Sequence, residues 1–494
     1  MLHLVIFLGG ALDALAQNET DVLRYSWVDP LGSSRTMGLG GSFGALGADL
    51  GSMGVNPAGL GMYRRGDLAM TCGILGSGTT SRWDFRQEGA MAYAVTASNF
   101  GIALTYPSVD ADMPFFTLAL GRQNRMPFAQ RIRIDGVQSS ETVSEVFVAQ
   151  AINDALEWGY VSTDEALTNG DIFPHSAALA WQTDVLLPDN DNVYTSAVNG
   201  PVQVTRLIER EGRMSETQIA FGSGFQEWFY FGATLGLPKV SFDERSTHTE
   251  AATLNESDLR EWNYQEDLAV NGRGWLLRGG VLLRISEALR VGLSHQTKAR
   301  LTLLDTYATE ITSTWMDGST TSASSPTSNY EYIVQTPSRT TASASFLMGK
   351  VGVINADYER SNVATGTLQD SDGFLSSGYN FAAENDAVAQ AYQTSHAARV
   401  GLELRAGDQS QWRIRGGGGM ATSPFQGDAT VADATRYHAS VGGGLRLGNV
   451  HVSAAWRTAW HQEDYHFMGA LSSSAPGMLE RRSSILVFGA GLRM

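Results

Sequence analysis

The chain has 494 residues, 54 of them glycine, with 43% hydrophobic, 10% aromatic and only 17% charged residues. That composition describes many short strands joined by turns, and it excludes a helical protein rich in Lys and Glu. A net charge of -16 excludes a nucleic-acid binder, which needs basic patches, and the single cysteine, Cys72, excludes an internal disulfide and a multi-cysteine metal site.

Leu2 to Leu12 form an apolar run, and Ala14-Leu15-Ala16 before Gln17 has the small-x-small pattern of a signal-peptidase site, so residues 1–16 are read as a signal peptide. No cysteine follows that site, which argues against a lipid anchor there. Met37 to Met62 is a glycine-dense run too rich in glycine for a helix interior and too irregular for a strand. It reads as compact irregular backbone that other elements must surround.

From Asp67 onward the dominant period is two. Trp275, Leu277, Gly279, Val281, Leu283 and Ile285 share one face of a strand, opposite Leu276, Arg278, Gly280, Leu282 and Arg284. After a short turn, Leu289, Val291 and Leu293 oppose Arg290, Gly292, Ser294, Gln296, Lys298 and Arg300. Val400, Leu402 and Leu404 oppose Arg399, Glu403 and Arg405, and Trp412 and Ile414 oppose Arg413 and Arg415. The spacing predicts strands near 67–76, 91–106, 115–123, 215–223, 227–241, 272–285, 289–304, 330–347, 350–361, 394–406, 411–422, 434–447, 449–462 and 482–494.

Short connections are predicted near Gly224 to Gln226, Ser286 to Ala288, Gly349, Gly407 to Ser410 and Gly448. Long ones are predicted at 124–214, 242–271, 305–329, 362–393, 423–433 and 463–481. Tight turns at one end and long loops at the other are the pattern of an all-β transmembrane antiparallel β-barrel, with the loops extracellular. A soluble sandwich has no reason to sort its loops. About fourteen strands is an even number, as single-chain bacterial barrels require, and each is long enough for the ~9–11 residues of a tilted crossing. Val143 to Trp158, inside the longest loop, has helical period. The Ser- and Thr-rich stretches at 312–329 and 368–378 read as mobile loop tips.

A barrel of this size leaves a lumen that side chains do not fill. Residues 17–66 are therefore assigned as an N-terminal hatch, or plug, and 67–494 as the barrel, with a large extracellular insertion at 124–214. Gly40, Gly41, Asn56, Pro57, Ala58 and Gly59 are the hatch residues. Arg278, Arg284, Arg399, Arg405 and Arg413 are expected on the lumen wall, satisfying plug carbonyls and acidic partners or forming a selectivity ladder for anionic head groups.

Other motifs favour plain readings. Gly40-Gly41-Ser42-Phe43-Gly44 fits the serine-hydrolase pattern but lacks the strand before it and the helix after it, so no enzyme is expected. His461 and His466, with Glu463 and Asp464, are read as solvated loop residues, since a spacing of five puts the histidines on opposite faces of a strand. Asp189-Asn190-Asp191-Asn192 and Asp370-Ser371-Asp372-Gly373 are read as turns, because neither has the glutamate of a calcium loop. No cofactor or metal is expected.

Four stretches carry a resemblance: Arg35 to Ser42, Asn56-Pro57-Ala58-Gly59-Leu60 followed by Gly61-Met62-Tyr63-Arg64, the strand pair from Gly272 to Leu304, and the closing strand to Met494. Through them the chain resembles the FadL/TodX-like outer-membrane transport proteins, in particular the Bacteroidetes-type branch often labelled haemin receptors. The resemblance implies a 14-stranded barrel in the bacterial outer membrane, a lumenal hatch containing Asn56, Pro57 and Ala58, and passive uptake of hydrophobic or amphipathic molecules such as long-chain fatty acids and hydrocarbons. Such ligands would leave lipopolysaccharide and outer-membrane lipid, reach a pocket against the hatch, and exit by hatch movement or through a lateral gap, for which the Pro107 and Pro114 region is the expected place. Two departures stand out: the chain ends in Met494 rather than an aromatic residue, and the loop after the third strand is longer than transport requires. The alternative is a structural or assembly subunit of a secretion or barrel-insertion complex, docking another outer-membrane protein through 124–214.

Overall fold

The structure, a computed structural model, describes residues 19–28, 31–138, 142–151, 175–190, 193–198, 200–253, 258–371, 373, 375, 378–407, 411–426, 434–465 and 477–494. The proposed signal peptide and His466 lie outside the described residues.

Fourteen antiparallel strands close on themselves. They are β1 (Asp67–Trp83), β2 (Arg86–Pro107), β3 (Phe115–Pro127, continued by Gln130–Gln138), β4 (Val202–Phe225), β5 (Phe229–Ala252), β6 (Leu259–Arg284) and β7 (Leu289–Gln296, continued by Arg300–Trp315). The remainder are β8 (Thr320–Ser324, Ser328–Gln335 and Arg339–Leu347), β9 (Gly352–Asn362, continued by Thr367–Asp370), β10 (Thr394–Ala406), β11 (Trp412–Ala421), β12 (Arg436–Leu447), β13 (Val450–Tyr465) and β14 (Gly477–Arg493). Closure comes from β14 pairing back onto β1, with Asp67 opposite Arg493 and Arg82 opposite Met478.

The period-two pattern maps onto the two faces of the wall. Trp275 (50% exposed), Leu277 (49%) and Val281 (37%) point outward, while Leu276 (3%), Arg278 (3%) and Leu282 (0%) point inward. Exposed Tyr106, Phe346 and Trp412 lie near one rim and exposed Trp275, Tyr437 and Trp460 lie toward the other, bracketing a belt that includes Leu118, Ile219, Val400 and Leu486. An apolar outer face on a closed sheet is stable in lipid, where every backbone N–H and C=O must be bonded within the protein.

Two of the predicted long loops are largely strand, and a third is strand at both ends. β5 and β6 pair through Ala251 and Glu261, so 242–271 is mostly a hairpin projecting beyond the membrane belt. β7 likewise pairs with β6 to Trp315 and with β8 through Thr320, which absorbs most of 305–329. Within 124–214, residues 130–138 and 202–214 are strand. At 26 residues, β6 runs roughly 85 Å, far more than a bilayer crossing needs. In β5 the sequence pattern missed the extension because its inward face carries buried polar groups, Ser246, His248 and Glu250, so Asp243 to Ser246 show no apolar alternation. The same applies to β1 and β2, which run on to a two-residue turn at Asp84 and Phe85, both at positive φ (45° and 60°), as a tight hairpin requires. The Ser/Thr stretch at 312–329 is thus mainly strand and turn.

One facing also differs from expectation. Gln296 pairs with Arg278 but Arg300 pairs with Trp275, so β7 carries one extra residue against β6. This β-bulge inverts the alternation: Leu301 (1% exposed) and Leu303 (0%) face inward, and Arg300 shares the outward face with Trp275.

The mouth is filled from above. α4 (Val143–Ala149) covers the first part of the predicted helix, of which 152–158 lie outside the described residues, and α5 (Ala177–Gln182) and a small hairpin (Leu186–Asn190 and Val193–Ser196) accompany it. The labels α1 (Glu19–Ser26), α2 (Ser34–Gly38) and α3 (Ser52–Val55) denote the earlier helices, and α6 (Ala382–Ala391) follows β9. Phe147 packs edge-on against Trp262 and Tyr264, at 6.1 and 5.3 Å, in a core shared with Trp83, Ile134, Val204 and Leu479 of the projecting strands. Part of the 124–214 insertion therefore sits between projecting strands and forms a cap.

Candidate ligand cavity and the segment beneath it

Beneath the cap, residues 31–63 are almost entirely buried and bond to inward-facing groups around the ring. The glycine run is bent by Gly40 and Gly41, both at positive φ (66° and 78°). At Gly40 a Cβ would stand 2.6 Å from the Gly418 nitrogen, so backbone lies directly against backbone of the β11 glycine stretch 416–419. His438 Nε2 is 2.8 Å from the Gly40 carbonyl oxygen, the Ser440 hydroxyl donates to Gly38 O (3.2 Å), and Phe43 N–H donates to Asp357 (2.7 Å). Ser294 and Thr234 donate to the carbonyls of Val55 and Met53, at 2.9 and 3.1 Å.

Asn56 uses its whole side chain. Its Oδ1 accepts from Ala58 N–H (3.1 Å), capping the 3₁₀ turn Pro57–Met62, while its Nδ2 donates to Gly44 O (2.7 Å) and to Val281 O of the wall (3.2 Å). Pro57 opens that turn without needing an N–H partner. Ala58 is fully buried, and a Cβ on Gly59 would meet Ser52 Oγ at 2.6 Å.

The wall arginines are distributed over several environments. Arg278 donates to Met53 O (2.9 Å), Glu216 (3.2 Å) and Gln296 (2.7 Å). Arg399 pairs with Glu359 at 3.0 Å, and Glu359 also holds Arg339 at 2.9 Å. Arg284 sits near a turn, 3.9 Å from the exposed Glu287. Arg405 and Arg413 line a separate cavity at the turn end. Of the acids that hold the buried arginines, Glu403 was placed on the polar face without a partner assigned, and Glu216 and Glu359, each on the inward face of its strand, were missed.

Above the segment lies a cavity of about 400 Å³. Its floor is α1, where Asp21 is held by Arg24 and by the Tyr332 hydroxyl (2.9 Å). The Arg24 guanidinium lies 4.4 Å from the Phe242 ring centroid, and Phe128 stands edge-on to Phe242 at 5.1 Å and to Tyr25 at 6.3 Å. Trp27 lies under Arg436 at 4.6 Å and beside His461 at 5.4 Å. His461, expected in a solvated loop, is instead on the inner face of β13, next to Glu463 (3.6 Å), itself an ion-pair partner of Arg481. Leu23 and Trp27 also line a smaller chamber of about 70 Å³, and Arg399 joins that chamber to one of about 50 Å³ above Gly41 and Gly54. The cavity at the turn end shares no lining residue with these three; the buried segment separates them.

The wall beside the large cavity is discontinuous. The β2–β3 ladder runs from Pro107–Phe115 to Asn99–Gln123 and stops. Pro107 and Pro114, the expected gap, flank an intact turn closed by Ser108 N–H to Pro114 O (2.9 Å). Beyond Asn99, β2 pairs only with β1. β3 shifts register at Asn124 to Met126, breaks at 128–129, and continues on β4 with Gly136 packed on the inward-facing Trp83. Met126, Pro127, Phe128 and Ala129 line the cavity, so the break in pairing adjoins it.

Among the remaining motifs, Ser42 is buried in a turn after α2, where Asn355 Nδ2 donates to its hydroxyl (2.6 Å). Asp370 Oδ1 accepts from Ser371 N–H (3.0 Å) in a turn, and Asp191, Asn192 and Asp372 lie outside the described residues. No group of three or more metal-ligating side chains occurs among the described residues.

The architecture is a lipid-facing closed β-barrel with a buried N-terminal segment in its lumen and internal cavities on either side of it. The chain has the fold of the FadL-like barrels. It superposes on a FadL homologue of Pseudomonas aeruginosa with a TM-score of 0.55, at 11% identity over 94% of this chain and 99% of that one. For the P. putida toluene transporter TodX the TM-score is 0.51, at 11% identity over 93% and 97% of the two chains. For the Ralstonia pickettii toluene transporter TbuX it is 0.50, at 14% identity over 94% and 98%. No family model and no curated protein sequence matches the chain.

Proposed function

We propose that this protein is a bacterial outer-membrane channel for passive uptake of hydrophobic or amphipathic small molecules, with residues 17–66 acting as its hatch. The observation that carries the reading is the coincidence of the partly aromatic cavity with the break in the β2–β3 ladder. Axial passage has obstacles at both ends: the cap above, and the buried segment below, bonded to many strands. The break at 124–129 opens the alternative of a lateral path between cavity and lipid, suited to a solute that prefers the bilayer to water. The structures sharing this fold include two named as toluene transporters, which favours hydrocarbons as the first ligands to try.

Lumen-wall Arg278 and Arg399 keep the hatch seated and its carbonyls and neighbouring acids paired, while the chemistry of passage is partition alone. Purified protein reconstituted in liposomes should bind toluene or a long-chain fatty acid and speed its entry over protein-free vesicles. Absence of both binding and transfer across such a panel overturns the reading.

A further inference from the structure

On the turn side of the buried segment lies a cavity of about 390 Å³. It is bounded by the hatch at Ser33 to Leu50 and by the barrel ends near Leu347, Arg446 and Arg493, the rim where the chain makes its tight turns. Its charge is opposite to that of the molecule. The chain carries -16 overall, yet seven arginines line this space against three carboxylates, Asp49, Asp67 and Glu403.

Glu403 is consumed by two of those arginines, Arg35 at 3.0 Å and Arg415 at 2.8 Å. Arg446 donates to its own turn at Gly448 O, 3.3 Å away. Arg290 and Arg405 differ: among the described residues neither has a carboxylate partner, and the Nε of each is buried without an acceptor. Among the described residues, the polar contact of the Arg290 guanidinium is to the Met62 sulfur, at 3.8 Å. Like-charged guanidiniums held together with unused donors are unfavourable until an anion enters, and a planar guanidinium presents paired N–H groups that match a carboxylate or phosphate. The hatch carbonyls do not explain them, since Arg35 and Arg278 already bond to Gly47 O and Met53 O.

We propose that this cavity is an oxyanion site, in which Arg290 and Arg405 from the wall grip a carboxylate or phosphate group against the hatch. The bound group comes either from a free periplasmic anion or from the head of an amphiphile. The proposal rests on the cavity alone and survives even if hydrocarbons prove not to be transported.

The test uses the full-length protein in non-ionic detergent, titrated calorimetrically at constant ionic strength with inorganic phosphate in one arm and decanoate in the other. Saturable binding is expected in at least one arm, weakened about tenfold or more in R290Q/R405Q and only partly restored in R290K/R405K, which keeps the charge but loses the paired N–H groups. Heat-modifiable migration on gels verifies that the variants fold, and R405Q alone serves if the double variant does not. Stronger phosphate binding identifies a free anion, and stronger decanoate binding identifies an amphiphile head group. No binding in either arm, or equal binding by wild type and the glutamine variants, overturns the proposal.

Discussion

Asn56 shows how one side chain joins the buried segment to the wall, since its Nδ2 donates hydrogen bonds to Gly44 O within the segment and to Val281 O on β6. Asn56→Ala leaves buried acceptors unpaired, a loss of about 1–3 kcal/mol. Gly59→Leu collides with Ser52 and Gly47. Both variants should raise ion conductance in planar bilayers and sensitivity to large antibiotics, with barrel folding unchanged on gels; unaltered conductance in both would remove the hatch assignment. Arg278→Met leaves the buried Glu216 with Arg125 (3.5 Å) and Gln218 (2.8 Å) as its remaining partners and should lower stability by about 1–3 kcal/mol. The midpoint of thermal unfolding followed by gel mobility measures it. The burial of this segment was legible because a glycine run ending in Asn-Pro-Ala-Gly fits neither helix nor strand and must be surrounded by other elements. What the run packs against was not read, although the Gly416 to Gly419 stretch in β11 marked a strand that another backbone approaches closely.

Elements lying in lipid were the most legible, because only there does the chain alternate strictly between apolar and polar. Trp275 to Arg284 showed its faces at once, whereas Asp243 to Ser246, in the same barrel but outside the belt, showed none. The β7 bulge was hidden for a related reason: one inserted residue leaves composition untouched while exchanging the faces of Arg300 and Leu301. The cap offers a pH test. His175 accepts at its carbonyl from Tyr264 (3.1 Å) and Thr309 (2.8 Å), its Nε2 is 2.9 Å from the Ser328 hydroxyl, and its ring lies 5.2 Å from that of Tyr307. Burial holds its pKa below the ordinary histidine value. Because the unfolded cap binds the proton more readily, cap stability is full above the unfolded pKa of about 6.5 and falls as the pH drops through it. Hydrogen-exchange protection in 177–182, taken relative to the intrinsic exchange rate at each pH, should therefore fall between about pH 7.5 and about pH 5.5, and His175→Gln should flatten that response. Identical pH profiles for the two proteins would contradict it.

At the scale of the whole molecule, closure was legible from an even strand count and sorted turns, but the location of the opening was not. Proline suggested the β2–β3 turn, where the ladder is intact; the break lies at the other end of that ladder, where Pro127 and the irregular step at 128–129 lead β3 inward over Trp83. Lateral passage beside a seated hatch is the central claim, and Asn124 and Thr96, bonded at 2.7 Å across the start of the break, allow it to be locked. In a C72S background, T96C/N124C should form a disulfide on oxidation. Uptake of radiolabelled toluene into proteoliposomes measures the effect most directly. The expected result is loss of transfer on oxidation and recovery on reduction, while undiminished uptake through the fully crosslinked barrel would contradict the lateral path.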